Sequence, residues 1–238
     1  MLKQLWKDVR LNIHDLLVML AAMAGGMVLG VVMVCIIMHV DADPGSWFCM
    51  GTLFCCLVGV VFQLIRGAFG YSTEFQLALA MGCTRREFMV SYFLRALISG
   101  AIVLALTRLV YSLELHLYTA LFPQYGNDAD FSVIFRWNVL LIAIFAMALI
   151  PMFLGSLYSR YGKKGMAAFY VIWLFCCFGL PRMFHEEFGT GVLDQVAFRL
   201  RYIIFLVPAP IWIVLGLAAA AAMAAATVIF GRTQPVKL

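Results

Sequence analysis

Charge is what this sequence has least of. Only 12% of its 238 residues are Asp, Glu, Lys or Arg, while 65% are hydrophobic. A soluble domain carries roughly twice that charge, because a globule in water needs polar groups over much of its surface. The shortage argues against a soluble enzyme, a disordered chain and a nucleic-acid-binding domain. Cysteine chemistry is missing too. The seven cysteines (35, 49, 55, 56, 83, 176 and 177) form no CxxC pair and six lie in apolar runs, so they read as small packing residues and not as a disulfide or metal framework. No cleavable signal is evident, since the first apolar run is too long for one and lacks a small-residue cleavage motif.

Catalytic motifs are absent as well. There is no GxxxxGK[ST], and Tyr161–Gly165 reads YGKKG without the glycine a P-loop needs. His185-Glu186-Glu187 has Gly189 where HExxH needs its second histidine, and Gly191 where the paired-glutamate membrane proteases carry an arginine. His14, His39, His116 and His185 have no ligand spacing, and no GxSxG occurs. The chain is not expected to be an enzyme or to bind a cofactor of its own.

What the sequence has is long apolar runs. A spanning helix needs about 20 apolar residues, and six segments qualify: Leu16–Val40, Trp47–Ile65, Phe88–Tyr111, Trp137–Leu157, Met166–Leu180 and Pro210–Phe230. The third has room to continue towards Phe122. The fold class is therefore an all-α integral membrane protein with six transmembrane helices, in one domain over 1–238. Residues 1–15 form an amphipathic helix, with Leu2, Leu5, Trp6, Val9 and Ile13 on one face and Lys3, Lys7, Arg10 and His14 on another, suited to lie on anionic lipid. Asp15 marks a break before the spans (16–230), and 231–238 is a tail. The basic residues orient the chain. With both termini inside, eleven of the 17 are cytoplasmic: Lys3, Lys7, Arg10, Arg66, Arg85, Arg86, Arg160, Lys163, Lys164, Arg232 and Lys237. Arg136, Arg182, Arg199 and Arg201 fall outside, and Arg95 and Arg108 fall in the third span. That bias requires an even number of spans. The apolar segment 182–209 is an outer surface piece flanked by prolines.

Three patterns are candidates for function. Arg95, Arg108, Glu114 and His116 lie in or near the third span, where charge is costly. Arg108 is the deep one, open to pairing with Glu114 of another protomer or with the outer acidic loops, and Arg108 and Glu114 are transport-path candidates. Glu114 and His116, near the outer end, are expected to meet water, and Arg95 to snorkel inward or contact cytoplasmic groups. Gly26 and Gly30 form a GxxxG, as Gly51, Cys55 and Gly59 form a small-residue stripe, for helix packing within a subunit or between two. The third pattern is the inner segment Arg66–Glu87. Ser72–Met81 reads as a short cytoplasmic helix with Glu74 in its first turn. Gly82 caps it, and Thr84-Arg85-Arg86-Glu87 is a capping box that opens the third span. A short helix held between two spans is a suitable lever.

Residues 75–97, FQLALAMGCTRREFMVSYFLRAL, resemble the hallmark stretch of small ABC-2-type transporter permeases, which follows their second span. Met89 stands where that pattern has a second aromatic. The layout is similar as well, with a surface helix, six spans and no large ectodomain. The resemblance implies a permease subunit that dimerises with a second permease chain and binds cytoplasmic ABC ATPase subunits, which carry the ATP and Mg. It implies that Ser72–Met81 is a coupling helix, with Glu74, Phe75, Leu79, Met81 and Gly82 forming or shaping the contact, Thr84 capping the next span, and Arg85 and Arg86 facing ATPase acids or anionic lipid. It further implies export of amphiphilic peptides, drugs or lipids across the cell membrane. An ion-coupled carrier, or a membrane immunity or regulatory protein without transport, is the alternative.

Overall fold

The computed structural model describes residues 13–40, 46–127, 131–133, 135–162, 164–165, 167, 170, 174 and 209–233. Five long helices lie among them: α1 (Ile13–Val40), α2 (Met50–Ala80), α3 (Arg85–Leu121), α4 (Trp137–Tyr161) and α5 (Ala209–Thr233). Each is long and apolar enough to cross a membrane. The protein is a helical, multi-pass membrane protein. The N-terminal surface helix up to residue 12, most of the fifth span and the segment 182–208 lie outside the described residues. α1 is described from Ile13, which places Asp15 in its first turn. The chain forms two compact units, residues 1–152 and 153–238.

The first unit is built from α1, α2, α3 and the first four turns of α4. α1 and α2 are apolar all round, as membrane helices are, and residue size separates inside from outside. The buried face of α2 runs Gly51, Cys55, Gly59, Gln63, Gly67, Tyr71 and Phe75, one every four residues. Its exposed face runs Leu53, Leu57, Val61, Ile65 and Phe69. Small residues inside let backbones touch, and large ones outside face lipid. Gly30 of α1 carries this furthest: a Cβ there would lie 2.5 Å from the Gly51 Cα. At Gly26 a Cβ would lie 3.2 Å from the Phe54 carbonyl oxygen. Both glycines therefore pack α1 on α2 within one chain. Val34, Met38, Trp47, Cys49 and Tyr118 form a core cluster at one end of this unit. There, a two-residue strand β1 (Ser46–Trp47) pairs in parallel with β2 (Gly126–Asn127). Tyr71, Phe75, Phe88, Tyr92 and Met152 form another cluster at the opposite end.

One boundary differs from the sequence reading, and one agrees with it. The second span and the short cytoplasmic helix are one continuous helix of 31 residues. No proline interrupts it, and Gly67 and Gly70 each weaken a helix interior by only about 1 kcal/mol. Glu74 is consequently mid-helix and has no first-turn role. α3 is 37 residues long and does continue towards Phe122, ending at Leu121 with its backbone closed by the Phe122 N–H on the Tyr118 carbonyl. In the second unit, the last turns of α4 and α5 meet. The Arg160 guanidinium donates to Thr233 Oγ1 at 2.7 Å and lies 5.0 Å from the Phe230 ring centre.

Candidate functional site

The functional candidates of the first unit lie along α2 and α3, from one end of the membrane helices to the other. At the end where α2 turns into α3, four charges from three helices interlock. Arg66 of α2 pairs with Asp15 of α1 at 2.8 Å and approaches Glu74 at 3.8 Å. Arg95 of α3 pairs with the other oxygen of Glu74 and lies over the Tyr92 ring. Two acids and two guanidiniums leave the group neutral. Arg95 is thus held in an ion pair with Glu74, the contact with a neighbouring group that was the alternative to snorkelling. From Met50 to Arg66 of this group, α2 rises through 16 residue steps, about 24 Å, most of the roughly 30 Å thickness of a bilayer core.

Past the ion group, α2 and α3 continue as an antiparallel hairpin. Its inside is aromatic: Tyr71, Phe75, Phe88 and Tyr92 meet mostly edge to face at 5.0–5.6 Å. Its tip is closed by local chemistry. Gly82 takes φ +82°, the left-handed region that suits glycine. The Cys83 N–H reaches the Ala78 carbonyl and the Gly82 N–H reaches that of Leu79, the two bonds of a Schellman cap. Thr84 then starts α3 with the capping box read from the sequence: the Glu87 N–H donates to Thr84 Oγ1, and the Thr84 N–H donates to the Glu87 carboxylate at 3.1 Å.

Exposure sorts the residues of the expected lever. Phe75 is fully buried, so it shapes the hairpin from within and offers no surface to a partner. Leu79 and Arg85 are half-buried, whereas Met81, Gly82, Thr84 and Arg86 are exposed. Leu77 is exposed one turn before Met81 and, with it, makes an apolar tip that the resemblance did not mark.

Midway along the unit lies Gln63, a residue that charge and motif reading passed over. Pro151 in α4 has no N–H, so the Met147 carbonyl four residues earlier loses its helical donor. Gln63 Nε2 supplies one, at 3.0 Å, and also donates to the Ala96 carbonyl of α3 at 3.0 Å. Gly67, one turn on, leaves room for the proline ring, against which any Cβ would clash at 2.1 Å. The signal was in the sequence: an amide in an apolar run, and a proline in another, each needing a partner.

At the far end, Glu114 corrects an expectation. It is 1% exposed, not in water. Its carboxylate accepts from the Gly51 and Thr52 N–H groups, the Thr52 hydroxyl and the Tyr118 hydroxyl, at 2.7–2.8 Å. The Gly51 and Thr52 N–H groups are first-turn donors of α2, whose own N-cap residue Cys49 supplies no side-chain bond. Glu114 is therefore a remote cap, and its lone pairs are occupied within the chain, leaving no vacancy for Arg108. Arg108 is exposed and stacks on the Phe135 ring at 5.2 Å. Neither residue meets the other or the ion group. No family model matches this chain, and no curated protein or solved structure matches it either. Among the described residues no cluster of ligand side chains could hold a metal ion.

Proposed function

We propose that this chain is the membrane-spanning subunit of an ATP-driven exporter of the ABC-2 type, with the α2–α3 hairpin as the part its ATPase grips. The observation that carries the reading is the hairpin itself. From Arg66 of the ion group α2 continues for 14 residues, past Glu74, to Ala80, about 21 Å. That overhang is too polar at its flanks to be buried in lipid, stiffened by aromatic packing, and closed by a turn with both caps in place. A stiff hairpin whose root joins three membrane helices transmits a push at the tip to the spans. The motif LAMGCTRREF surrounds the same tip. In this reading the hairpin is cytoplasmic, ATP and Mg reside on the partner, a second permease chain completes the path, and ATP-driven closure of the ATPases repacks the spans to release amphiphilic peptides, drugs or lipids outward.

Six spans, with both termini cytoplasmic, belong to the same proposal. Support comes from the meeting of the last turns of α4 and α5: two spans that end together run the same way and leave one crossing between them. The carrier alternative draws no support from Glu114, whose lone pairs are occupied by four donors.

The test is capture of the tagged chain from its own host in mild detergent, with mass spectrometry of what accompanies it. A P-loop ATPase at near-equal stoichiometry, lost in Met81→Glu, is the expected result. The chain alone, in a preparation that keeps a known ABC complex together, would overturn the proposal.

A further inference from the structure

A cavity of about 40 Å³ opens where α1, α2, α3 and α4 converge, on the span side of the ion group. Its polar lining is Asp15, Gln63, Arg66, Tyr92, Arg95 and Ser99. Most of these groups are already committed. The Tyr92 hydroxyl donates to the Gly67 carbonyl and the Ser99 hydroxyl to the Ala96 carbonyl. Gln63 is the exception. Both bonds of its amide nitrogen go to backbone carbonyls, while its Oε1 is buried with no partner. Its side chain is 7% exposed, so bulk solvent does not reach that oxygen directly. A buried amide oxygen left unpaired costs about 1–3 kcal/mol, which a donor in the cavity would recover.

The cavity decides what kind of donor. It exceeds the roughly 10–15 Å³ that one water needs and is too small for a lipid headgroup. The four surrounding charges cancel, so nothing selects an ion. Asp15, at 47% exposure, gives the cavity an edge on solvent. We infer that this is a hydration site: water enters past Asp15, accepts from the Arg66 and Arg95 guanidiniums and donates to Gln63 Oε1. Gln63 lies about 5 Å deeper along α2 than Arg66. Water at that depth, at the junction of four membrane helices, is the wetted inner mouth of a transport path. Only the word "path" rests on the exporter reading; the hydration does not.

Two methionines make the site measurable without a substitution. Met19 lines the cavity and Met23, one turn deeper on α1, does not, although both are buried at 3% and 1% exposure. Radiolysis converts protein-bound water into hydroxyl radical, which oxidises the nearest methionine. In the wild-type chain in detergent, Met19 is expected to gain oxygen several-fold faster than Met23. Gln63→Leu should bring the two rates together, and the wild-type comparison decides by itself should that variant fail to fold. Equal rates in the wild-type chain would show a dry cavity and overturn the inference, whether or not an ATPase is captured in the other experiment. Water at Met19 with no ATPase captured would leave the hydration site standing and remove its assignment to an exporter.

Discussion

Gln63 shows how one buried amide can determine the course of a neighbouring helix. Pro151 deprives the Met147 carbonyl of its donor, and the amide of another helix replaces it. The two residues should therefore be energetically coupled. Gln63→Leu leaves that carbonyl unpaired in an apolar setting and is expected to lower stability by about 1–3 kcal/mol. In a Pro151→Ala background the helix supplies its own N–H, and the same substitution should do much less. A double-mutant cycle on unfolding in detergent measures the coupling, expected at about 1 kcal/mol; additive effects would show that the bond carries no net stability. Glu114 makes a related point. Sequence reading placed it near water because it lies far along α3. The clue lay elsewhere, at the start of α2, where Cys49 offers no capping oxygen and Gly51 and Thr52 leave their N–H groups open to a distant acceptor.

At the scale of the element, the hairpin combines local and non-local information. Gly82 and the Thr84–Glu87 box were legible because a cap needs only residues within a turn of it. The continuity of α2 through Arg66–Ser72 was not, because Arg66 and two glycines separate the apolar run from the short helix read over Ser72–Met81. Gly67 is kept helical by its contact with Pro151, 84 positions away in sequence. The division between buried and exposed residues gives the element its own test. Phe75→Ala should destabilise the hairpin by about 3–5 kcal/mol, the range for truncating a buried Phe. Met81→Glu, at an exposed tip, should change stability by no more than about 0.5 kcal/mol. Thermal unfolding and limited proteolysis of the two variants separate loss of structure from loss of a partner. A Met81→Glu chain that unfolds early would make its capture result uninterpretable as a surface effect.

For the whole molecule, the orientation rests on charge. Arg66, Arg85, Arg86 and Arg95 gather at the hairpin end, while Arg136 precedes α4 at the other. Under the proposed function, the positive-inside tendency would have the hairpin in the cytoplasm. Met81→Cys, in a chain with Cys83→Ser, should react with a charged, membrane-impermeant thiol reagent in inside-out vesicles and stay unmodified in intact cells. Modification from outside would invert the topology and sink the ATPase reading with it, since no ATP-driven partner could reach the tip.

The sequence by itself determined that this is a multi-pass helical membrane protein, where most spans lie, and how the hairpin turn is capped. Those properties follow from composition, run length and contacts within a few residues. Only the tertiary structure decided that Gly26 and Gly30 pack α1 on α2, that Phe75 faces inward, that Glu114 caps a helix from another, and that Gln63 repairs a proline break. Inside a bilayer every polar group must find its partner within the protein, and such partners come from helices far apart in the chain. A linear pattern shows that a partner is needed; packing alone shows which residue provides it.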